Sequence, residues 1–234
     1  MCGRYALYGP ISRHRRNKPV DDLPDWYPSV VDAINARPMR FNVAPTDVMP
    51  IVGVNREGGI SIRALRWGLV PYWAKDVKIG YKAINARAET VDEKPMFREA
   101  FKRRRCLVPA SGYFEWKPDG AAKQPYFIHD PDGELLMFAG LWESWRESKE
   151  AEPLYTFTIV TGPPGLVSGD IHDRAPVILE EGAWAPWLTG EAAEAAHEIK
   201  DAREPKLIYH PVPKAVGSPT NDSPDLVRPS ETSK

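Results

Sequence analysis

The sequence predicts an α+β fold: a mostly antiparallel sheet with a barrel-like core and a few flanking helices. Three observations carry this. The 24 prolines are spread along all 234 residues instead of marking one linker, which favours short strands and structured loops in one continuous domain. Apolar runs are short and bounded by turn residues. Stretches with helical spacing are few.

The elements follow in chain order. A weak helical pattern lies near residues 11–18. A helix is predicted over Asp92–Arg104, with Met96, Phe97, Ala100 and Phe101 at helical spacing. Asp92 or Thr90 can cap it, and Pro95 fits only near its first turn. Residues 105–116 read as strand, turn, strand. Residues 124–129 and 134–141 flank Asp130-Pro131-Asp132-Gly133, turn chemistry that predicts a hairpin. In 154–161, Tyr155, Phe157 and Ile159 alternate with Thr156 and Thr158, the pattern of a half-buried strand. Further short strands are expected at 175–179 and 206–212, and a helix at Glu191–Ala202. The domain spans 1–228, and Pro229–Lys234 is expected to fray. Ala-Ile-Asn-Ala-Arg occurs at 33–37 and again at 83–87 without a longer period; this reads as coincidence or as two similar strand ends.

The composition, 42% apolar and 27% charged, is that of an ordinary soluble globular protein. No 18-residue apolar run and no apolar leader segment occur, so neither a membrane span nor a signal peptide is expected. Two cysteines, Cys2 and Cys106, suggest a reduced cytoplasmic protein without a disulfide framework. His and Cys lack paired ligand spacing and no glycine-rich phosphate loop is present, so no metal and no cofactor are expected. The net charge of −1 means that any nucleic-acid binding rests on locally placed cations, with a small footprint and modest salt dependence.

Cys2 is the residue with the most distinctive chemistry. If Met1 is removed, Cys2 carries an α-amine and a thiol on one carbon framework. An α-amine has a pKa of about 7.7–8.0 against about 10.4 for lysine, so roughly a tenth of it is neutral at pH 7. It forms imines readily, and ring closure by the same residue's thiol then gives a thiazolidine, favoured by proximity. Such a residue traps aldehydes. The alternative is an incidental buried cysteine near a frayed terminus.

Five segments carry a resemblance: Met1-Cys2-Gly3-Arg4, Phe41-Asn42-Val43-Ala44-Pro45, Ile84-Asn85-Ala86-Arg87-Ala88-Glu89-Thr90, Ser111-Gly112-Tyr113-Phe114-Glu115-Trp116 and Gly169-Asp170-Ile171-His172-Asp173-Arg174-Ala175-Pro176. In this order, from Met1 to about Val227, the chain resembles the SOS-response-associated peptidase family. The resemblance implies a barrel-like bifurcated sheet, recognition of abasic sites in single-stranded DNA, and a thiazolidine cross-link through the mature N-terminal cysteine. Cys2, Asn85, Glu115 and His172 match the family's active-site positions. The family name records an older proposal of autoproteolysis before the cysteine, where here only Met1 stands. The implied location is cytoplasmic, on the nucleoid when bound to DNA, and the expected state is a monomer.

Chemistry suggests the roles. Glu115, among Tyr113, Phe114 and Trp116, would shuttle protons with a raised pKa; otherwise it is a strand carboxylate paired with arginine. His172 would assist sugar-ring opening, or it simply bonds its neighbour Asp173. Asn85 would orient the amine or thiol, with Asn35 in the first repeat copy as a rival. Arg4, Arg87 and Arg174 suit phosphate, Asn42 and Thr161 add neutral contacts, and Trp73, Trp116 and Pro45 stack on or wedge between bases. Core packing is the competing reading for most tryptophans. The basic run Lys102-Arg103-Arg104-Arg105 reads first as a solvated helix end, second as a DNA contact. The competing functions are an N-terminal-nucleophile hydrolase, distinguished by turnover, and a noncatalytic single-strand binding module, distinguished by indifference to Cys2→Ala.

Overall fold

The structure, a computed structural model, describes residues 2–15 and 23–230. Its strands are β1 (Arg4–Leu7), β2 (Arg40–Val43), β3 (Val48–Val54), β4 (Ile60–Trp67), β5 (Asn85–Arg87), β6 (Arg105–Ala110), β7 (Gly112–Asp119), β8 (Ala122–His129), β9 (Leu136–Trp145), β10 (Leu154–Gly162), β11 (Ala175–Pro176) and β12 (Ile208–Pro211). The α-helices are α1 (Tyr27–Asn35), α2 (Arg98–Arg103), α3 (Leu166–Gly169), α4 (Glu181–Thr189) and α5 (Ala192–Asp201).

The strands form two sheets. One runs β12-β8-β7-β1-β2 and is antiparallel throughout. The other runs β11-β10-β4-β3-β6-β9, and β9 pairs again with β10, so β10, β4, β3, β6 and β9 close into a barrel. Along one edge of β10, β4 pairs with Thr156 and Phe157 and then β5 with Ile159 to Thr161, both parallel. The α+β class with a barrel core is therefore as the sequence predicts.

Several elements differ from expectation. The 130–133 turn forms, with Asp130 Oδ1 accepting from the amides of Asp132 and Glu134. It does not close a hairpin: β8 pairs with β7 and β12, whereas β9 pairs with β6 and β10. The turn hands the chain from one sheet to the other. The alternating strand β10 is buried on both faces; Thr156 and Thr158 are 0% exposed. Thr156 tolerates this because its hydroxyl accepts from the amide of Val70 at 2.9 Å. The helix expected from Asp92 begins only at Arg98, because residues 91–97 around Pro95 run as turns. Residues 11–15 are not helical, and 16–18 lie outside the described residues. The 175–179 segment is a two-residue strand plus a bridge from Ile178 to Phe138.

Helices α1 and α4 have no counterpart in the sequence reading. Helix α1 buries Tyr27, Val30, Val31 and Ile34; α4 buries Trp184 and Trp187 despite the internal Pro186. The repeated pentapeptide is a coincidence of sequence: the first copy ends α1, where Asn35 exchanges two hydrogen bonds with the backbone of Ile11, and the second leads into β5. Among the described residues no helix is long and apolar enough to cross a membrane.

The C-terminal segment acts as a strap. Val212, Val216 and Leu226 join Ala6, Phe114 and Phe127 in a second apolar cluster on the first sheet. Asp222 accepts from the amides of Phe41 (2.6 Å) and Asn42 (3.1 Å) and pairs with Arg40.

Candidate active site

Strand β1 lies between β7 and β2, with Arg4 opposite Phe114 and Tyr5 opposite Tyr113. This register brings the start of the chain beside Glu115. Cys2 is 0% exposed, and its thiol sits 3.9 Å from the carbonyl of Arg4. Burial pushes the thiol pKa up, and the nearby Glu115 carboxylate pushes it further. Glu115 is 3% exposed, and burial raises its pKa, partly countered by the charge of His172. Cys2, Glu115 and His172 thus form one electrostatic cluster drawn from the chain start, β7 and the loop after α3. Tyr5 and Tyr113, both 0% exposed, also feel the Cys2 charge and have pKa values raised chiefly by burial.

The ring of His172 is set by its neighbours. Its amide donates to Ser168 O at 3.0 Å, and Nδ1 accepts the amide hydrogen of Arg174 at 3.0 Å. Asp173 Oδ1 also lies 2.9 Å from Nδ1, a contact that needs a proton there. The two are incompatible in one protonation state. The backbone amide is a fixed donor, whereas the Asp173 side chain is 88% exposed and can turn to water. With Nδ1 taken by that amide, a neutral ring would carry its proton on Nε2.

The remaining sequence-predicted residues fall into three groups. Asn85 and Arg87 face Ile159 and Thr161 across the β5–β10 pairing. Asn85 donates to its neighbour's carbonyl, Ile84 O, at 3.0 Å; its Oδ1 is buried without a partner among the described residues. No hydrogen bond joins Asn85 to Cys2 among the described residues. Arg174 donates to Thr161 O at 2.6 Å and makes a two-pronged ion pair with Glu89, whose carboxyl pKa is lowered by it. Glu89 lies in the Ile84–Thr90 motif, where the sequence assigns it no role. Arg87 is exposed, while Thr161 is buried.

Arg4 and Asn42 form the second group. Arg4 donates to Asn42 Oδ1 (3.0 Å), Val216 O (2.7 Å) and Gly217 O (3.1 Å). Asn42 is 0% exposed and its amide nitrogen faces the carbonyls of Val216, Ser218 and Asn221. These donors tie β1 and β2 to the C-terminal strap, and Asn42 has no surface to offer a phosphate.

The aromatics form the third. Trp73 is 47% exposed, its neighbour Tyr72 58% and Tyr81 59%. Trp116 is half-buried against the strap cluster, and Pro45 is also half-buried. The loop that bears Tyr72 and Trp73 is pinned from behind: Trp145 Nε1 donates to Ala74 O at 2.7 Å, and the Tyr72 amide bonds the buried carboxylate of Glu143. The basic run divides, with Lys102 and Arg103 exposed, Arg104 paired to Glu143 at 2.8 Å and Arg105 buried against the carbonyls of Phe101 and Trp187.

The chain is similar to known proteins over most of its length. A protein from Bacillus subtilis, the abasic site processing protein YoqW, is 38% identical over 235 residues, covering 97% of this chain and 99% of its own. The Escherichia coli abasic site processing protein YedK is 32% identical over 237 residues, covering 98% of this chain and all of its own. A solved protein of Bacteroides thetaiotaomicron superposes with a TM-score of 0.72 at 29% identity, covering 82% of this chain and 85% of that one. The profile of the SOS response associated peptidase (SRAP) family matches residues 1–219. This chain belongs to the SOS response associated peptidase family.

Proposed function

We propose that this protein captures abasic sites in single-stranded DNA by a covalent bond from Cys2, shielding the lesion. The single observation that carries the reading is the meeting of Cys2 with a buried Glu115, whose pKa is raised by burial, in the cluster that includes His172. The family's curated relatives, named for abasic site processing, support the choice of substrate.

The burial of Cys2 sets the order of steps. A thiol whose pKa is pushed up stays protonated near neutral pH, so the α-amine attacks first. Loss of Met1 frees that amine and removes the residue covalently joined to it. His172, with its proton on Nε2, assists opening of the deoxyribose to the aldehyde. The amine nitrogen adds to the aldehyde carbon, giving a carbinolamine. Glu115 in its acid form donates a proton to the departing hydroxyl, and water leaves as the imine forms. The Cys2 sulfur then bonds to the imine carbon; its proton passes through Glu115 to the nitrogen, closing the thiazolidine. No oxidant or reductant is needed. Arg87 and Arg174 hold the phosphates beside the lesion and Trp73 stacks on or wedges beside the neighbouring base. In this reading Asn85, whose Oδ1 is buried without a partner among the described residues, receives an amine hydrogen once the chain begins at Cys2. The same chemistry makes the protein a DNA-protein cross-linking enzyme. A peptidase step would serve here to release Met1.

The test is a denaturing gel after incubation with an oligonucleotide that carries one abasic site. A shifted band that is lost in Cys2→Ala supports the trap. Its absence with the wild-type protein, or intact Met1 in the cross-linked species by mass spectrometry, overturns it. Catalytic turnover of an amide without adduct would assign Cys2 to hydrolysis instead.

A further inference from the structure

A groove beside the Tyr72–Trp73 loop takes no part in the chemistry above. It encloses about 1030 Å³ and is lined by Arg56, Arg63, Arg103, Tyr72, Trp142 and Tyr155. Its cations come from three separate places: the β3–β4 turn, β4 and the end of α2. The Arg63 guanidinium lies 4.4 Å from the ring centre of Tyr155 and 5.4 Å from that of Trp142. Planar groups and cations at this spacing suit a strand whose bases stack while its phosphates lie along the rim. The fourth arginine, Arg104, neutralises the buried Glu143, leaving Glu57 and Glu99 as the opposing rim charges. The four arginines against three glutamates leave one surplus positive charge in a chain whose net charge is −1.

The groove adjoins the Trp73 loop of the proposed DNA face. Tyr72 borders it and stands next to Trp73. Strand β10 runs between the two regions, with Tyr155 in the groove and Thr161 beside Arg87 and Arg174. Six residues of strand cover about 20 Å, the length of about six stacked nucleotides.

We propose that this groove receives the strand flanking the abasic nucleotide, with its bases on Tyr155, Trp142 and the Arg63 plane and its phosphates on Arg56 and Arg103. This rests on the reading of Cys2 as an abasic-DNA trap and gives that site a longer footprint than the lesion alone.

The experiment compares lesion oligonucleotides with two-nucleotide flanks and with twelve-nucleotide flanks on the 5′ or the 3′ side. Cross-linking is read with the natural abasic site, and equilibrium affinity with a tetrahydrofuran analogue that has no aldehyde. In the wild-type protein, extension on one side should tighten binding tenfold or more. The variant R56E/R103E, and the milder R56Q/R103Q should the first lower the melting temperature, should lose that gain and leave short-oligonucleotide cross-linking unchanged. The salt slope on the long strand should fall by about 0.7 for each phosphate contact removed. A flank gain that persists in both variants overturns the proposal, as does the lack of any gain in a wild-type protein that cross-links the short strand. An acidic peptide whose binding both variants abolish, with the DNA gain intact, would assign the groove to a protein and overturn it equally. Failure of the wild type to cross-link either length would bring down the trap and this proposal together.

Discussion

Glu115 concentrates the tension between stability and function in one side chain. Its pKa is raised because burial disfavours the carboxylate. The folded state thus binds more protons than the unfolded state above the ordinary value of 4.5, so stability falls as pH rises from there through the folded pKa. Each unit of elevation corresponds to about 1.4 kcal/mol. Glu115→Gln should slow adduct formation about a hundredfold or more and raise the melting temperature at pH 7. Below about pH 4.5, where both proteins are neutral at this position, the two melting curves should converge. A variant that cross-links at the wild-type rate would remove Glu115 from proton transfer. Asn42 makes the opposite case. Its amide serves the strap carbonyls, so Asn42→Ala should cost about 1–3 kcal/mol through groups left unsatisfied, measured by urea unfolding, with DNA affinity of the folded protein unchanged. At this scale the sequence was informative about which residues carry reactive groups and silent on which groups are already engaged. Asn42 looks like a DNA ligand in the string because the carbonyls it serves lie more than 170 residues away.

Elements are placed by pairings that local patterns do not encode. The Asp130–Gly133 turn has full hairpin chemistry, yet its strands belong to different sheets. The alternation in β10 suggests one wet face, but neighbours on both sides and a threonine bonded to Val70 bury it. Helix α4 carries an internal proline, Pro186, which disfavours a helix in the local pattern. By contrast the β6–β7 segment and α5 were legible, since their own residues set their period and bounds. The C-terminal strap shows what such placement does. One carboxylate, Asp222, holds two β2 amides and Arg40, while the same segment receives Arg4 from β1. Asp222→Ala should destabilise the protein by about 1–3 kcal/mol and raise amide exchange throughout 212–228. Because β1 carries the chain start, cross-linking should slow as well, and Asp222→Asn should restore part of the rate. Unchanged exchange in the strap would show that its apolar contacts suffice to hold it.

The whole molecule divides the work between its two sheets. The first sheet carries Cys2's strand and Glu115; the barrel carries Asn85, Arg87 and Thr161 along β5 and β10. Barrel closure depends on β9 lying between β6 and β10, with Gly140 opposite both Cys106 and Ile159. A Cβ at Gly140 would come within 2.8 Å of Val108, 3.0 Å of the Cys106 sulfur and 3.0 Å of the Thr158 carbonyl. Nothing in the sequence around Gly140 announces this, because the crowding exists only once three distant strands close. Gly140→Ala should therefore cost about 1–3 kcal/mol by overpacking, which for this size is a fall of about 2–4 °C in melting temperature per kcal/mol. Cys106→Ala removes one of the colliding atoms, so the double variant should be less destabilised than the sum of the two single variants. Strict additivity would mean that the backbone, not the sulfur, takes up the strain. Below its transition Gly140→Ala should still form the adduct at close to the wild-type rate, since the nucleophile and its proton carrier sit on the other sheet. An equal loss of rate and stability would instead mean that the two sheets position the reacting groups as one unit.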